Sequence, residues 1–218
     1  MEALPHPISL WIDSYAPAGT AVAAGPISSA EPFDATEAAA TASAVRARCD
    51  EFHTGRRLAR SALLQLGCWP TTIPVGESRL PIWPQGFVGT ISHSRNLCVA
   101  HVGRASELLS LGVDIEPEVP LAQGLETLIC RPDEDPNEVE RFPLLRFVAK
   151  EAFYKAYFSA TRAFLEFHDV RVELDHARCT FLASLMTPEK PALAGRRAFQ
   201  GHFAKTSNHL VAVLWISI

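Results

Sequence analysis

The sequence lacks the features that mark several classes of protein. Its 218 residues contain no apolar run of about 18 residues, so no membrane span is predicted. The first residues show no basic stretch followed by an apolar one, so no secretory signal is expected. The five cysteines are widely spaced, odd in number and without a Cys-x-x-Cys pair. That pattern disfavours a zinc site or a disulfide framework and fits a reducing cytoplasm. The net charge of −4 argues against broad binding to nucleic acid or to an anionic membrane.

What is present is typical of a globular protein with one large domain or two small ones. Hydrophobic residues make up 48% of the chain and charged residues 20%. Periodicity predicts helices over residues 36–47, 51–66 and 143–159, and a short helix within 121–129. Strands are predicted over 8–12, 87–94, 97–102, 108–116, 167–174, 179–185, 198–203 and 209–216, and a loop over 15–33. The predicted fold class is α+β, with helices early in each half, antiparallel strands after them and a junction near residues 103–111.

Residues 112–116 (GVDIE) are predicted to form a strand that carries two carboxylates on one face. Val113 and Ile115 point to one side of the strand, whereas Asp114 and Glu116 point to the other. The two carboxylates are about 7 Å apart at a rise of ~3.3 Å per residue. Two interpretations fit: a solvated acidic face, which is the commoner case, or a site for Mg²⁺, Mn²⁺ or Ca²⁺ that relieves the repulsion between like charges.

The predicted helix over residues 143–159 places Glu151 and Lys155 four residues apart on one face. An isolated pair of this kind is usually a surface ion pair. Here aromatic residues surround the pair in sequence, which favours a partly buried face.

A cluster of basic residues precedes these motifs in an otherwise acidic protein. It comprises Arg46, Arg48, Arg56, Arg57 and Arg60. A solvated basic face and a wall that binds phosphate both remain open, because guanidinium groups match phosphate oxygens. His93 lies at the end of a predicted strand, where a structural and a functional histidine are both possible.

Taken together, four motifs resemble the 4′-phosphopantetheinyl transferases, most of all the larger, monomeric enterobactin-synthase and mycobacterial types. The motifs are residues 80–86 (LPIWPQG), 90–94 (TISHS), 112–116 (GVDIE) and 147–156 (FVAKEAFYKA). The similarity extends from about residue 46 to residue 175, and the order and spacing of the last two motifs make it specific. It implies two similar half-domains in one chain, each with antiparallel strands packed on a helix. The implied boundaries are residues 1–108, which bind the nucleotide and phosphates of coenzyme A, and residues 109–218, which carry the metal, with the active site at the interface.

The resemblance also implies a reaction: the 4′-phosphopantetheine arm of coenzyme A moves to a serine of an apo acyl or peptidyl carrier protein. Adenosine 3′,5′-bisphosphate is released. Asp114, Glu116 and Glu151 are expected to bind Mg²⁺, with Mn²⁺ as an alternative ion. Glu151, or a water that it orients, is expected to take the serine proton.

For coenzyme A itself, the resemblance implies phosphate contacts from Lys155 and, more weakly, from Lys150. His93 and Ser92 are expected at the 3′-phosphate. Arg48, Arg56 and Arg79 fall where the family places cationic nucleotide or phosphate ligands. Two other functions remain to be distinguished by experiment: a non-catalytic module that binds coenzyme A or a carrier protein, and a metal-dependent phosphohydrolase.

Overall fold

The computed structural model describes residues 5–206 and 208–218, which form two compact units that divide between Leu111 and Gly112. The first unit contains α1 (Pro7–Asp13), β1 (Thr20–Pro26), α2 (Ala35–Ala40), α3 (Arg46–Gln65), β2 (Phe87–Ser94), β3 (Leu97–Arg104) and the start of β4 (Leu108–Pro117). The strands β1, β3 and β2 form an antiparallel sheet in that order. Helix α3 covers one face of this sheet, where Leu58, Ala62 and Leu63 are buried with Cys98 and Val102.

Two predictions at the start of the chain were wrong. Residues 8–12 form helix α1 rather than a strand, because Pro7 occupies the first helical turn and Ile8 and Ile12, four residues apart, are buried. The predicted loop over residues 15–33 contains strand β1, which pairs along its whole length with β3. Five of its seven residues are alanine, glycine or proline, which have little intrinsic strand preference, so pairing with a distant segment decides its conformation.

A buried histidine in β3 is expected to make the first unit sensitive to acid. The His101 side chain is fully buried, and within residues 5–206 and 208–218 neither ring nitrogen has a hydrogen-bond partner. Burial lowers the pKa of His101 to about 3. Since the unfolded histidine has the higher pKa, of about 6.5, the unfolded state binds more protons and stability falls as the pH drops from about 6.5 towards 3.

We therefore expect His101 to account for a loss of about 2 kcal/mol in the free energy of unfolding between pH 7.5 and pH 5. Urea denaturation at the two pH values measures it, with His101→Leu as the comparison because leucine has similar volume and does not titrate. The leucine variant should lose about 2 kcal/mol less than the unsubstituted protein over this interval. Equal losses in the two proteins would contradict the assignment to His101.

The second unit is a five-stranded sheet with one long helix. After β4 its elements are α4 (Leu125–Ile129), α5 (Pro136–Arg141), α6 (Pro143–Thr161), β5 (Val170–Asp175), β6 (Thr180–Leu185), β7 (Ala198–Lys205) and β8 (His209–Ser217). The sheet order is β4-β8-β7-β6-β5, and β5 to β8 pair with one another in antiparallel register. The fold class, α+β with helices and two antiparallel sheets, is confirmed.

Helix α6 forms the core of this unit because its apolar residues recur around one broad face. Val148, Ala152, Phe153, Ala156 and Tyr157 are fully buried against the sheet. Proline at its first position suits a helix start, and Arg162 after its end adopts the left-handed conformation of a C-terminal cap. In the described part of the chain, every helix is too short or too polar to cross a bilayer.

Candidate functional site

A close approach between β4 and α6 brings the two carboxylate-bearing motifs together. Gly112 lies directly against the helix: a Cβ atom at this position would be 1.9 Å from the backbone oxygen of Ala152. Only glycine permits this separation, since any side chain would overlap the helix backbone. Two residues further along β4, Asp114 is buried on the strand, and Val113 and Ile115 are fully buried beside it.

An ion pair joins the two motifs. The Lys155 Nζ donates to Asp114 Oδ1 at 2.6 Å. Glu151 precedes Lys155 by one helical turn, and its environment disfavours the charged carboxylate. Burial, followed by the negative charges of Asp114 and then Glu116, raises the pKa of Glu151, while Lys155 partly opposes this effect. The four side chains therefore form one electrostatic cluster, as the sequence motifs predicted for a shared site.

The chemistry of this cluster fits a hard divalent cation. Asp114, Glu116 and Glu151 offer oxygen donors only, which are the ligands that Mg²⁺ and Mn²⁺ prefer. With Lys155 the cluster carries a formal charge of about −2 when all groups are ionised, which one divalent cation would balance. Over residues 5–206 and 208–218, no three His, Cys, Asp or Glu side chains already converge as a metal-binding group. Metal binding would therefore require these carboxylates to rotate, and Asp114 to exchange its contact with the Lys155 ammonium group.

A small cavity of about 120 Å³ borders Glu151. Its wall is mostly apolar and aromatic, formed with Tyr154, Phe164, Leu165 and Phe167. These apolar surroundings explain why burial is the main cause of the raised pKa of Glu151, since they replace the water that would stabilise its charged carboxylate.

Lys150, which the sequence assigned weakly to coenzyme A, occupies a different environment. Its side chain is buried, and Nζ donates to the carbonyl oxygens of Ile129 at 2.7 Å and Phe167 at 3.1 Å. Nζ also lies 3.2 Å from Oε1 of Glu134, whose carboxylate accepts from the backbone N–H of Val172 at 2.7 Å. These contacts tie α6 to the segments that carry Ile129, Glu134 and Phe167, and binding of a phosphate by Lys150 stays a prediction.

Glu134 lies in an acidic segment, residues 133–140, whose composition favours exposure to solvent. Its side chain is fully buried and faces both Lys150 and Arg146, with Arg146 Nη1 at 3.8 Å. Arg146 also donates to the carbonyl oxygen of Val172. The backbone N–H of Arg131 is a local partner of Glu134, but its cationic partners, Arg146 and Lys150, are 12 or more residues away, so no local pattern could have identified its burial.

The variant Lys150→Met distinguishes a structural role of Lys150 from a role in binding phosphate. It removes a buried cation while Arg146 remains beside Glu134, so we expect the free energy of unfolding to fall by about 2 kcal/mol, less than for a fully unpaired buried charge. The affinity for coenzyme A, measured by calorimetry, should stay within about twofold, which is less than 0.5 kcal/mol. A large loss of affinity at unchanged stability would instead support the phosphate role. Lys190→Met, at a more exposed lysine that donates to the Phe164 carbonyl, is the matched control.

In the first unit, Arg48 and His93 meet although 45 residues separate them. Arg48 Nη1 donates to Nε2 of His93 at 2.8 Å and to Oε2 of Glu51 at 2.9 Å. Because a guanidinium group can only donate, Nε2 of His93 accepts and the ring proton resides on Nδ1. Nδ1 lies 3.7 Å from the same Glu51 oxygen. The structure thus brings together His93, which was expected at the 3′-phosphate, and Arg48, which was expected as a nucleotide or phosphate ligand, and places Glu51 beside them.

Ser92 and Arg79 are placed less directly. Ser92 is buried and neighbours His93 in β2, so strand alternation directs the two side chains to opposite faces of the sheet. A contact of Ser92 with a phosphate bound at the His93 side chain would therefore come from the Ser92 backbone. Arg79 is exposed in a short 3₁₀ turn, Glu77–Arg79, with a left-handed backbone at φ 63°. Its role as a phosphate ligand stays a prediction.

Arg56 is buried and lies about two turns further along α3 than Arg48. Its Nε donates to the carbonyl oxygen of Ile73 at 2.8 Å, and its guanidinium lies 4.6 Å from the centre of the Phe52 ring. Burial lowers the pKa of Arg56 to about 10, which still leaves it cationic at neutral pH. Arg60, next on this face, pairs with buried Glu37. These contacts attach α3 to the loop at Ile73, and binding of a nucleotide by Arg56 stays a prediction.

Comparisons with known proteins match both units. Residues 36–103 match the family model of the 4′-phosphopantetheinyl transferase N-terminal domain, and residues 110–213 match that of the 4′-phosphopantetheinyl transferase superfamily. The chain is 35% identical over 191 residues to 4′-phosphopantetheinyl transferase Svp of Streptomyces mobaraensis, covering 83% of this chain and 77% of that one. It is 32% identical to the transferase Npt of Nocardia iowensis, with 67% and 72% covered. It is also 37% identical over 145 residues to the transferase PptT of Mycobacterium tuberculosis, covering 64% of each chain.

Proposed function

Because this chain belongs to the 4′-phosphopantetheinyl transferase family, we propose that it transfers the 4′-phosphopantetheine arm of coenzyme A to a serine of an apo acyl or peptidyl carrier protein. The observation that carries the proposal is the placement of Glu151 and Lys155, one helical turn apart, against Asp114 of β4. A proton acceptor, a cation for phosphate and oxygen ligands for a metal are the groups that phosphoryl transfer requires.

The bonds of the proposed reaction balance without an external oxidant or reductant. The serine Oγ forms a bond to the β-phosphorus of coenzyme A, and the bond from this phosphorus to the bridging oxygen breaks. The phosphopantetheine remains on the serine, and adenosine 3′,5′-bisphosphate leaves with the bridging oxygen. The serine proton passes to Glu151, or to a water that Glu151 orients.

Each cluster has a part in this reaction. In the second unit, Lys155 exchanges its contact with Asp114 for a phosphate oxygen, and its ammonium group offsets the charge on the pyrophosphate. Asp114, Glu116 and Glu151 would hold Mg²⁺ or Mn²⁺, which when bound supplies positive charge at the pyrophosphate. In the first unit, Arg48 and His93 hold the 3′-phosphate, with Arg56 and Arg79 as further cationic ligands of the nucleotide. We also propose that the protein acts as a monomer and in the cytoplasm.

The test is to weigh carrier proteins. The chain is incubated with coenzyme A, Mg²⁺ and a mixture of apo-carrier proteins, and the carriers are then examined by mass spectrometry. A carrier that gains the mass of phosphopantetheine supports transfer. Intact coenzyme A and unmodified carriers would indicate a binding module, and loss of coenzyme A without a modified carrier would indicate a phosphohydrolase. Omission of Mg²⁺, with a chelator added, should abolish the gain if the metal is required.

A further inference from the structure

We propose that Glu51 is an internal competitor for the phosphate that Arg48 and His93 bind, and that it limits how long the bisphosphate product stays on the enzyme. The inference rests on the proposed function, because it takes the 3′-phosphate of coenzyme A as the ligand of these two residues. Neither the family motifs nor the comparisons assign a role to Glu51.

The geometry places a carboxylate oxygen where a phosphate oxygen would bind. Glu51 Oε2 accepts from Arg48 Nη1 at 2.9 Å and lies 3.7 Å from Nδ1 of His93. Arg48 Nη1 and His93 Nδ1 are the two donors that would bind an anion at this position, and a single oxygen of Glu51 faces both. Arg48 and Glu51 are three residues apart on α3, so the helix holds the carboxylate beside the arginine whether or not an anion is present.

The charges then decide what happens when phosphate arrives. A phosphate monoester carries close to two negative charges at neutral pH, whereas Glu51 carries one. The phosphate therefore displaces the Glu51 carboxylate from Arg48. The displaced carboxylate stays on the same helical turn and repels the phosphate. Both effects weaken binding, by an amount that solvent limits, since the side chains of Glu51, His93 and Arg48 are 27%, 31% and 47% exposed.

The weakening has a use because substrate and product share the same phosphate. Adenosine 3′,5′-bisphosphate keeps the 3′-phosphate of coenzyme A but has lost the pantetheine arm that would help to retain the substrate. Competition by Glu51 therefore lowers the affinity of the enzyme for both coenzyme A and the bisphosphate. The bisphosphate has fewer other contacts with the enzyme, so it is released faster.

The experiment measures dissociation constants by calorimetry for coenzyme A, adenosine 3′,5′-bisphosphate and 3′-dephospho-coenzyme A. Glu51→Gln should bind the first two ligands about three- to tenfold more tightly than the unsubstituted protein does, a change typical of removing one partly screened charge contact. It should bind 3′-dephospho-coenzyme A with unchanged affinity. Inhibition of transfer by added bisphosphate should strengthen by a similar factor.

Asp50→Asn is the matched control, because it removes the same charge from the neighbouring residue, which pairs with Arg46 instead. A general electrostatic effect would tighten binding equally in both variants and overturn the proposal. Weaker binding by Glu51→Gln would overturn it too, since it would mean that Glu51 orients Arg48 for the ligand. If the unsubstituted protein binds coenzyme A and its dephospho form equally, the phosphate site is elsewhere and the inference fails, while the mass of the carriers still tests transfer separately.

Discussion

Glu151→Gln should lower the rate constant of carrier modification by about a thousandfold, while coenzyme A affinity changes by no more than about threefold. The physical reason is that glutamine has the same shape as glutamate but cannot accept the serine proton, and general-base catalysis contributes about 10²–10⁴ in rate. Glutamine also keeps one oxygen that can face a metal. Single-turnover transfer, followed by the mass of a carrier protein, gives the rate constant, and calorimetry with Mg²⁺ gives the affinity.

The control for this prediction is Glu173→Gln, the same chemical change at an exposed position of β5, where the carboxylate contacts only neighbouring Arg171 among the ion pairs of the described chain. It should leave both rate and affinity unchanged. If Glu151→Gln loses affinity and rate by the same factor, Glu151 contributes to holding coenzyme A rather than to the transfer step. A variant with full activity would remove Glu151 from the mechanism altogether.

The parts of the fold that the sequence predicted well are those with strong local periodicity. Helix α6, predicted over residues 143–159, is observed at Pro143–Thr161, and strand β2 is observed at its predicted bounds, Phe87–Ser94. Helix α3 begins at Arg46, five residues earlier than predicted. In contrast, the short run of residues 8–12 in α1 fits a strand and a helix equally, and β1 gains its conformation from pairing with β3. The local sequence pattern therefore does not determine the conformation of either segment.

In the site, too, features that depend on one element could be predicted, whereas features that depend on contacts between elements could not. The helical spacing of Glu151 and Lys155 and the alternation of Asp114 and Glu116 could be predicted, because each depends on one element. The contact between Lys155 and Asp114, 41 residues apart, depends on how a strand and a helix pack. Lys150 shows the limit most clearly. Its sequence neighbourhood is that of the functional motif, but its burial and its contacts with Glu134, Ile129 and Phe167 depend on segments that are distant in sequence.

Gly112 permits the short distance between β4 and α6, so Gly112→Ala should strongly destabilise the second unit. The new Cβ would be 1.9 Å from the Ala152 oxygen and 3.1 Å from the Ala156 Cβ. A backbone oxygen in a helix cannot rotate away, so β4 and α6 must separate. We expect the free energy of unfolding to fall by at least about 3 kcal/mol and the melting temperature by roughly 10 °C.

Gly25→Ala is the matched control, since the nearest atom to a Cβ there is Leu58 Cδ2 at 3.9 Å, an ordinary contact. It should cost less than about 1 kcal/mol. Calorimetric melting of both variants measures the difference, and equal melting temperatures would contradict the packing argument. If the Gly112 variant still folds at low temperature, its transfer rate should be reduced much more than its coenzyme A affinity. Separation of β4 from α6 moves Asp114 away from Lys155 and Glu151, whereas Arg48 and His93 belong to the other unit and keep their contact.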